Sequence, residues 1–571
     1  MLLDDKRMIT AKRIDRNCTF VPVFTFIEKN VNLRKNCIER GIYETLPFPL
    51  TLKFYIFDIL NKDEVHNGSK PILKEIGPFY FDEYIWKNNI SDNDAEDTMA
   101  FNIMKKYIFR PDLSKNLTGD EIVTTMHPVI AAIGLTVHFE FRQFLHVAST
   151  AIKEIFHSPT DAFWTGKAMD LLYNGIGIDC STKNPLAKLA CNEIRKSKNP
   201  MIQKMNRTQM KFSILGGVNF TSTGHWKVNR GVKNIRKAGQ VIEVDGQTEL
   251  KVWGEGSNQC NQLVGTDGLL FTPLQSKKKP LTFFVQQICT SLHLKYEQTA
   301  SYRGVDLHTF TKEFEDFSAN NLTRCFCRQP DRCPIQGTMD LLPCVQVPVT
   351  ISLPHFYRAD PSLLANIASG LKPTKKKHEF FISLELNSGV ALRGAGRVQI
   401  NFEVEPIKEI EIMANLPKMI FPWIWFEESA EVPDSLVNLL KYTLTLAKTI
   451  NCALQWITLT YWLFGTIICT TLFVLSRYAN VNIFEEGQSV FMKSPNLSKI
   501  GAITTASELS DKVNDGLKTI DEKDADVNVN GEDTNSHSKN GAVILLNEIV
   551  TKAASAANKS RLQTDFNSIK F

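Results

Sequence analysis

The stretch Cys325-Phe-Cys327-Arg-Gln-Pro-Asp-Arg-Cys333, followed by Cys344, gathers four cysteines of this 571-residue chain in one short segment. Zinc sites usually space cysteines two to four residues apart and often add paired histidines, and the C-x-C-x5-C spacing here does not match that pattern. The glycosylation sequon Asn321-Leu-Thr323 directly precedes the cluster. Glycans and lasting disulfides both belong to secretory compartments. The cluster therefore predicts disulfide-linked loops outside the cytosol, and Cys260 and Cys289 are upstream candidates to join it.

A long uncharged segment predicts a membrane-spanning helix over residues 449–476. Its centre, Trp456–Leu475, reads WITLTYWLFGTIICTTLFVL. At about 1.5 Å per residue this centre covers about 30 Å, the thickness of the hydrocarbon core. The sequons and cysteines place residues 31–448 outside the cell as an ectodomain. Residues 477–571 are then a cytoplasmic tail, and their polar composition predicts that most of this tail is disordered.

The amino terminus and the overall charge limit the remaining possibilities. In residues 1–30 the longest apolar run is Phe20–Ile27, which contains Pro22 and would reach only about 12 Å as a helix. We therefore expect an atypical N-terminus without a first membrane helix.

The chain carries 66 basic and 61 acidic residues and a net charge of +5. Because nucleic-acid binding needs a concentrated basic face, this balance argues against that function.

The ectodomain combines strand and helix patterns. Lys53–Asp58 and Glu75–Phe81 alternate apolar and polar residues and are followed by turn signals, which predicts strands. Apolar residues recur at helical spacing over residues 120–157, where Pro128 and Pro159 bracket one long or two shorter helices. A second helical patch is predicted at Ala162–Leu172. Residues 120–172 together are the predicted apical helical region.

Catalytic motifs are absent from the sequence. It contains no G-x-S-x-G elbow, no H-E-x-x-H, no P-loop and no dinucleotide-binding glycine motif after a strand. His355, within Leu353-Pro-His-Phe-Tyr357, is predicted to be a hydrogen-bonded structural residue. We therefore predict a protein that is not an enzyme and that has no catalytic residues, no cofactor and no metal.

Several ordered segments resemble one family, the class B scavenger receptors. Other stretches are similar in more detail to the insect branch of that family, the sensory neuron membrane proteins. The shared segments include Tyr55-Ile-Phe-Asp58, Glu75-Ile-Gly-Pro78, Cys260-Asn-Gln-Leu-Val-Gly-Thr266 and Leu353-Pro-His-Phe356, and the insect-type segments include Lys70-Pro-Ile-Leu-Lys74, Phe109-Arg-Pro-Asp-Leu-Ser114, Met169-Asp-Leu-Leu172 and Gly337-Thr-Met-Asp-Leu341. The resemblance covers about residues 31–476.

This resemblance implies an α+β membrane protein. It would have an antiparallel β-barrel-like ectodomain, an apical helical bundle, an internal lipid tunnel and a C-terminal transmembrane helix. It also implies a plasma-membrane glycoprotein of olfactory neuron cilia that binds long-chain fatty-acyl pheromones. Such a receptor or co-receptor would pass these ligands to odorant receptor channels, with the odorant receptor complex and odorant-binding proteins as partners. The alternatives are a scavenger receptor for lipoproteins or lipids, and a lysosomal membrane transport receptor.

The resemblance implies specific disulfides, and the placement of the ectodomain outside the cell predicts which sequons carry glycans. The resemblance pairs Cys260 with Cys325, Cys289 with Cys344, and Cys327 with Cys333, and Cys180 with Cys191 is a plausible fourth pair. Cys452 and Cys469 are expected to remain free. No headgroup-reading residue is assigned, because His157-Ser-Pro159 stands where some relatives carry a lysine pair. The sequons predicted to carry glycans are Asn67, Asn89, Asn116, Asn206, Asn219 and Asn321, whereas Asn496 and Asn558 lie in the predicted cytoplasmic tail.

Overall fold

The structure is a computed structural model that describes residues 32–478, apart from residues 198, 255–257 and 330–331. The predictions for residues 1–30 and for most of the tail lie outside the described residues. The strands are β1 Leu50–Ile59, β2 Leu73–Asn93, β3 Thr98–Phe109, β4 Ile122–Met126, β5 Phe163–Lys167, β6 Ile176–Asp179, β7 Ile202–Lys204, β8 Gln209–Phe212, β9 Ser222–Asn229, β10 Val241–Val244, β11 Leu281–Val285, β12 Thr290–Tyr302, β13 Val305–Lys312, β14 Thr338–Asp340, β15 Val349–Ser352, β16 Phe380–Leu384, β17 Ala391–Val404 and β18 Met419–Glu431.

The α-helices of the described residues are fewer than the strands, and the last of them is the longest element. They are α1 Ile38–Glu44, α2 Lys62–His66, α3 Pro128–Glu140, α4 Leu145–Ile155, α5 Pro185–Lys196, α6 Leu342–Val345, α7 Pro361–Ala365, α8 Lys375–His378 and α9 Asp434–Tyr478. A π-helical turn spans Asp170–Asn174. The 3₁₀ turns are Arg142–Phe144, Ile235–Lys237, Gln259–Asn261, Gln286–Ile288, Arg324–Phe326, Pro354–Phe356 and Glu411–Met413.

One antiparallel sheet of 13 strands organises the fold. Its main order is β10-β9-β3-β2-β1-β18-β17-β16-β13-β12-β11, and β15 pairs with both β14 and β17. The two end strands approach each other through Thr266, which bridges to Gln240 beside β10 and to Phe283 in β11. The sheet is therefore nearly closed, which removes most of the exposed edge that an open sheet would present. The predicted β-barrel-like fold class is confirmed.

The predicted helical region needs correction at both ends. Two helices, α3 and α4, do lie within it, but Ile122–Met126 and Phe163–Lys167 are antiparallel strands that pair from Ile122 with Lys167 to Met126 with Phe163. The prediction of a helix at Ala162–Leu172 is wrong. Ile122–Met126 is rich in β-branched residues, which favour strands, and the pairing buries Val123 and Met126 completely. This tertiary pairing outweighs the weak helical spacing.

The helix α3 begins at a proline that follows a side-chain cap. Pro128 occupies the first turn, and the His127 Nδ1 atom accepts a hydrogen bond from the Ile130 N–H at 3.3 Å. Proline fits the first helical turn because its missing N–H has no partner there. Helix α4 packs against α3 and α5, and its buried residues include Leu145, Ala148 and Ile152.

The last helix, α9, spans Asp434–Tyr478 and contains the predicted membrane-spanning segment. Its segment Cys452–Leu475 is long and apolar enough to cross a membrane, with a mean hydropathy of 1.7. Large apolar side chains on it remain uncovered; Tyr461 is 76% exposed and Trp462 is 70% exposed. Such exposure is costly in water and is expected for a helix whose surroundings are lipid.

Candidate functional site

The cysteines of the opening cluster lie in pairs in the structure. Disulfides join Cys260 to Cys325, Cys289 to Cys344, Cys327 to Cys333, and Cys180 to Cys191. The oxidation state of these pairs in the purified protein stays a prediction. The expectation of a free thiol at Cys452 is wrong, because its sulfur is disulfide-bonded. The Cys469 thiol is free.

The predicted glycan acceptors differ in accessibility. Asn67, Asn89, Asn116, Asn206 and Asn321 are exposed, whereas Asn219 is half-buried. The Asn219 Nδ2 group donates to the Tyr173 hydroxyl at 2.7 Å, and its Oδ1 accepts from the Tyr107 N–H at 2.9 Å. Asn219 thus satisfies a backbone donor of β3 at a point beyond the end of its pairing with β9.

A row of phenylalanines crosses one face of the sheet over four neighbouring strands. Phe109 of β3 lies opposite Phe81 of β2, which is followed by Phe54 of β1 and Phe426 of β18. The ring centroids are 5.2 Å apart for Phe109–Phe81, 5.9 Å for Phe81–Phe54 and 5.8 Å for Phe54–Phe426. We call this set the phenylalanine row. Aromatic contacts at this spacing are favourable beyond the area they bury.

The phenylalanine row lies on the inner face of the sheet. Phe81 and Phe54 are 1% and 3% exposed, whereas residues that alternate with them, such as Tyr84 and Ile108, are 37% and 38% exposed. Since successive side chains of a strand point to opposite faces, the buried set shares the inner face and the exposed set shares the outer face.

A cleft of about 340 Å³ opens beside the Phe109 end of the row. This size is within the usual range for small-molecule sites. Phe220, at its edge, is 56% exposed and adopts a left-handed backbone with φ of 57°. Bulky residues rarely occupy that region, and such strain concentrates at functional sites. The lining of this cleft is Lys106, Tyr107, Ile108, Phe109, Met169, Tyr173, Asn219 and Phe220.

A charged cluster lies on the inner face next to the phenylalanine row. Glu83 of β2 lies opposite Tyr107 of β3, and its Oε1 atom is 2.7 Å from Lys105 Nζ. Glu428 of β18 shares this face, because Leu52 of β1 lies opposite both Phe81 and Glu428. We call Glu83, Lys105 and Glu428 the inner charged cluster. Tyr107 belongs both to its surroundings and to the cleft.

The charges and the burial of the inner charged cluster shift the pKa values of Glu428, Lys105 and the neighbouring Tyr107. The negative charge of Glu83, together with burial, raises the pKa of Glu428 to about 7. Burial opposes the charge on Lys105, but the carboxylates of Glu83 and Glu428 raise its pKa above the ordinary value. Burial raises the pKa of Tyr107, and the two carboxylates raise it further against the opposing charge of Lys105. Lys105 is therefore an ammonium, and Glu428 exchanges a proton near neutral pH.

Some inner-face side chains keep accessible surface. The Lys105 side chain is 18% exposed, and Glu428, Phe426 and Phe109 are half-buried. The cleft shares Phe109 with the phenylalanine row and Tyr107 with the surroundings of the inner charged cluster, which lies beside the row, and the three together are the candidate site.

The segment Leu353–Tyr357 contains His355, which forms hydrogen bonds with Glu75 of β2 and with the backbone of Lys372. These contacts lie on the face of the sheet opposite the phenylalanine row. His355 is buried; its Nε2 lies 2.6 Å from Glu75, and its Nδ1 accepts from the Lys372 N–H. Trp425 Nε1 donates to the same Glu75 oxygen at 2.9 Å. Burial works against charge on Glu75, but these hydrogen bonds lower its pKa. The structural role predicted for His355 is confirmed.

A second cavity in the described chain has a polar lining. A cavity of about 510 Å³ beside Cys333 is lined by polar groups that include Asp316, Arg324 and Asp360. Among residues 32–478, outside the gaps, no group of three or more histidine, cysteine or acidic side chains is arranged to hold a metal ion.

A nearly closed antiparallel sheet, cystine-linked loops and, among the described residues, an exposed apolar helix long enough to span a bilayer indicate a membrane protein. Residues 18–473 match the sequence profile of the CD36 family. The chain therefore belongs to the CD36 family, a family of membrane receptors rather than enzymes.

Several similar proteins share one name, sensory neuron membrane protein 1. The chain is 38% identical to that of Aedes aegypti over 77% of its own length and 81% of the relative. It is 35% identical to that of Anopheles gambiae over 84% and 88%, and 35% identical to that of Manduca sexta over 75% and 82%. The recognition from sequence motifs is confirmed.

Sequence reasoning missed the cleft and the inner charged cluster. One local signal was present: β2 places Phe79, Phe81, Glu83 and Ile85 on one face, so that a carboxylate interrupts an otherwise apolar alternation. A buried charge at such a position is rare unless it is paired.

Proposed function

We propose that this protein is a non-enzymatic receptor or co-receptor that binds long-chain fatty-acyl ligands and passes them to a partner receptor channel. The observation that carries the proposal is the unbroken contact from the cleft into the phenylalanine row. An acyl chain in this position would replace water contacts with aromatic and aliphatic ones. Each buried methylene contributes about 0.8 kcal/mol of gross transfer free energy, so affinity should rise steeply with chain length.

The names of the relatives support a sensory role for this receptor. We propose the plasma membrane of olfactory neuron cilia as its location and the odorant receptor complex, with odorant-binding proteins, as its partners. Pheromones with fatty-acyl chains are the proposed physiological ligands. Residues 31–448 would then be extracellular, and glycans would be found on the ectodomain sequons but not at Asn496.

The test is a chain-length series on the full-length protein in a non-ionic detergent at fixed micelle concentration. A photoreactive sixteen-carbon probe is displaced by competitors of increasing length, and labelled peptides are identified by mass spectrometry. We expect long chains to displace the probe far better than eight-carbon chains, labelling of peptides that contain Phe109 or Phe220, and recovery of intact ligand. Equal displacement by short and long chains, or a chemically altered ligand, would contradict the proposal.

A matched pair of glycine variants tests the cleft. Phe220→Gly relieves a left-handed backbone and removes an apolar wall, and it should weaken probe binding about five-fold, since roughly half of an aromatic side chain's burial is lost. Lys115→Gly relieves a similar exposed left-handed residue, with φ of 52°, away from the cleft lining. It should leave binding unchanged.

A further inference from the structure

The Glu83 carboxylate is buried on the inner face, and one of its two oxygens pairs with Lys105. Glu83 is only 1% exposed. Its Oε1 atom pairs with Lys105 and the Tyr107 hydroxyl also interacts with the carboxylate, but its Oε2 atom accepts no hydrogen bond within 3.5 Å from the described residues. A buried acceptor without a donor keeps its full desolvation penalty, so a donor that reaches Oε2 gains more than it would at an exposed carboxylate.

The charges around Oε2 select the kind of donor. Two carboxylates, Glu83 and Glu428, face one ammonium, Lys105, and Tyr107 is the other titratable group that faces them. The strand between them, β1, contributes the apolar residues Leu52 and Phe54. The negative excess opposes a fatty-acid carboxylate. An ester or an ether brings no donor, whereas a primary alcohol brings one and carries no charge.

The position of Glu83 suits the end of an acyl chain. On β2 it stands two residues from Phe81 on the same face, and Tyr107, opposite it, also lines the cleft. A chain that lies along the phenylalanine row with its headgroup beside Phe81 would therefore bring that headgroup next to Oε2.

We propose that Glu83 is a headgroup-reading residue whose Oε2 atom accepts a hydrogen bond from the hydroxyl of a long-chain primary alcohol. This proposal rests on the proposed function, because it requires the acyl chain to occupy the phenylalanine row. Glu428 acts against anionic headgroups, and Lys105 positions the Glu83 carboxylate. The raised pKa of Glu428 adds a pH dependence: the cluster loses negative charge as pH falls through about 7.

The experiment compares headgroups on one chain in the full-length protein. The probes are 1-hexadecanol, hexadecyl methyl ether and palmitate, measured by displacement of the photoreactive probe. In the wild type we expect the alcohol to bind at least ten-fold more tightly than the ether, the range for a hydrogen bond to a charged acceptor. Palmitate should bind more tightly as pH falls from 8 to 6, after correction for its own ionisation in the detergent.

Two isosteric variants separate the roles. Glu83→Gln removes the anionic acceptor and should bring the alcohol-to-ether ratio close to one. Glu428→Gln keeps the pair between Glu83 and Lys105, so it should preserve that ratio, strengthen palmitate binding and abolish its pH dependence. If Glu83→Gln fails to fold, the wild-type alcohol-to-ether ratio and the Glu428→Gln result still test the assignment of Glu83 as the headgroup-reading residue.

The outcomes distinguish the two proposals. Equal wild-type affinities for alcohol and ether would show that water alone satisfies Oε2 and would overturn the headgroup assignment while leaving lipid binding intact. An alcohol preference that survives Glu83→Gln would also overturn it. Failure of every sixteen-carbon compound to bind would refute the proposed function itself, and the headgroup assignment with it.

Discussion

Acid should destabilise the packed helices α3 and α4 through one buried histidine, His127. The structure keeps this ring neutral: burial lowers the pKa of His127 to about 4, and its Nδ1 lone pair caps α3 by accepting from the Ile130 N–H. A proton on Nδ1 would abolish that cap. Because the pKa in the unfolded chain is near 6.5, the unfolded state takes up this proton first as pH falls. The contribution of His127 to the free energy of unfolding is therefore fully present above about pH 6.5, and it is lost progressively as the pH falls toward 4.

The size of the effect follows from the two pKa values. Between pH 7 and pH 5 the unfolded state gains about 2 kcal/mol relative to the folded state from His127 alone. His378 acts in the same direction, because burial and the neighbouring His355 lower its pKa to about 3. Asparagine is a good N-cap and does not titrate, so His127→Asn should remove the contribution of His127 and keep that of His378.

The assay is thermal or denaturant unfolding of the full-length protein at pH 7 and about pH 5. The difference in free energy of unfolding between the two pH values should be smaller by about 2 kcal/mol in His127→Asn than in the wild type. Loss of the ring contact with Phe156, whose centroid is 4.7 Å away, lowers stability similarly at both pH values and cancels in that difference. His146→Asn, at an exposed position on α4, is the control. An unchanged pH dependence in His127→Asn would refute the reasoning.

Three further predictions follow from packing, hydrogen bonding and cystine linkage. Phe81→Ala should lower the free energy of unfolding by about 3–5 kcal/mol in a thermal-shift series, because the ring is buried between two others; a loss below about 1 kcal/mol would contradict the packed row. Asn219→Gln should cost about 1–2 kcal/mol by freeing a backbone donor of β3, whereas Thr221→Ala, which removes the same sequon but keeps the amide, should be nearly neutral. Equal losses would point to the glycan instead. Non-reducing peptide mapping should recover Cys327 linked to Cys333, and an alkylated free Cys327 would disprove that pair.

Local patterns in the sequence were sufficient for several parts of the fold. The alternation in Lys53–Asp58 and Glu75–Phe81 predicted strands that the structure contains within β1 and β2. The uncharged segment before Arg477 predicted an apolar helix that the structure also contains. Each of these features depends on neighbouring residues, so the pattern and its cause lie in the same stretch of chain.

The errors arose where distant partners decided the outcome. Ile122–Met126 and Phe163–Lys167 become strands because they pair with each other, although a helical spacing runs through both. Cys452 was expected to be free because it lies within or beside the membrane helix, but its sulfur is disulfide-bonded, and its position in the sequence alone does not show that.

The sequence by itself determined the family, the apolar helix and the strand-rich ectodomain, because motifs, composition and periodicity are local and are written in order along the chain. Only the tertiary structure decided the candidate site. Glu83 and Lys105 come from adjacent strands, but Glu428 comes from the far end of the ectodomain and reaches the same face through the pairing of β1 with β18. Strand register sets which side chains share the inner face, and register is fixed by packing across the whole sheet.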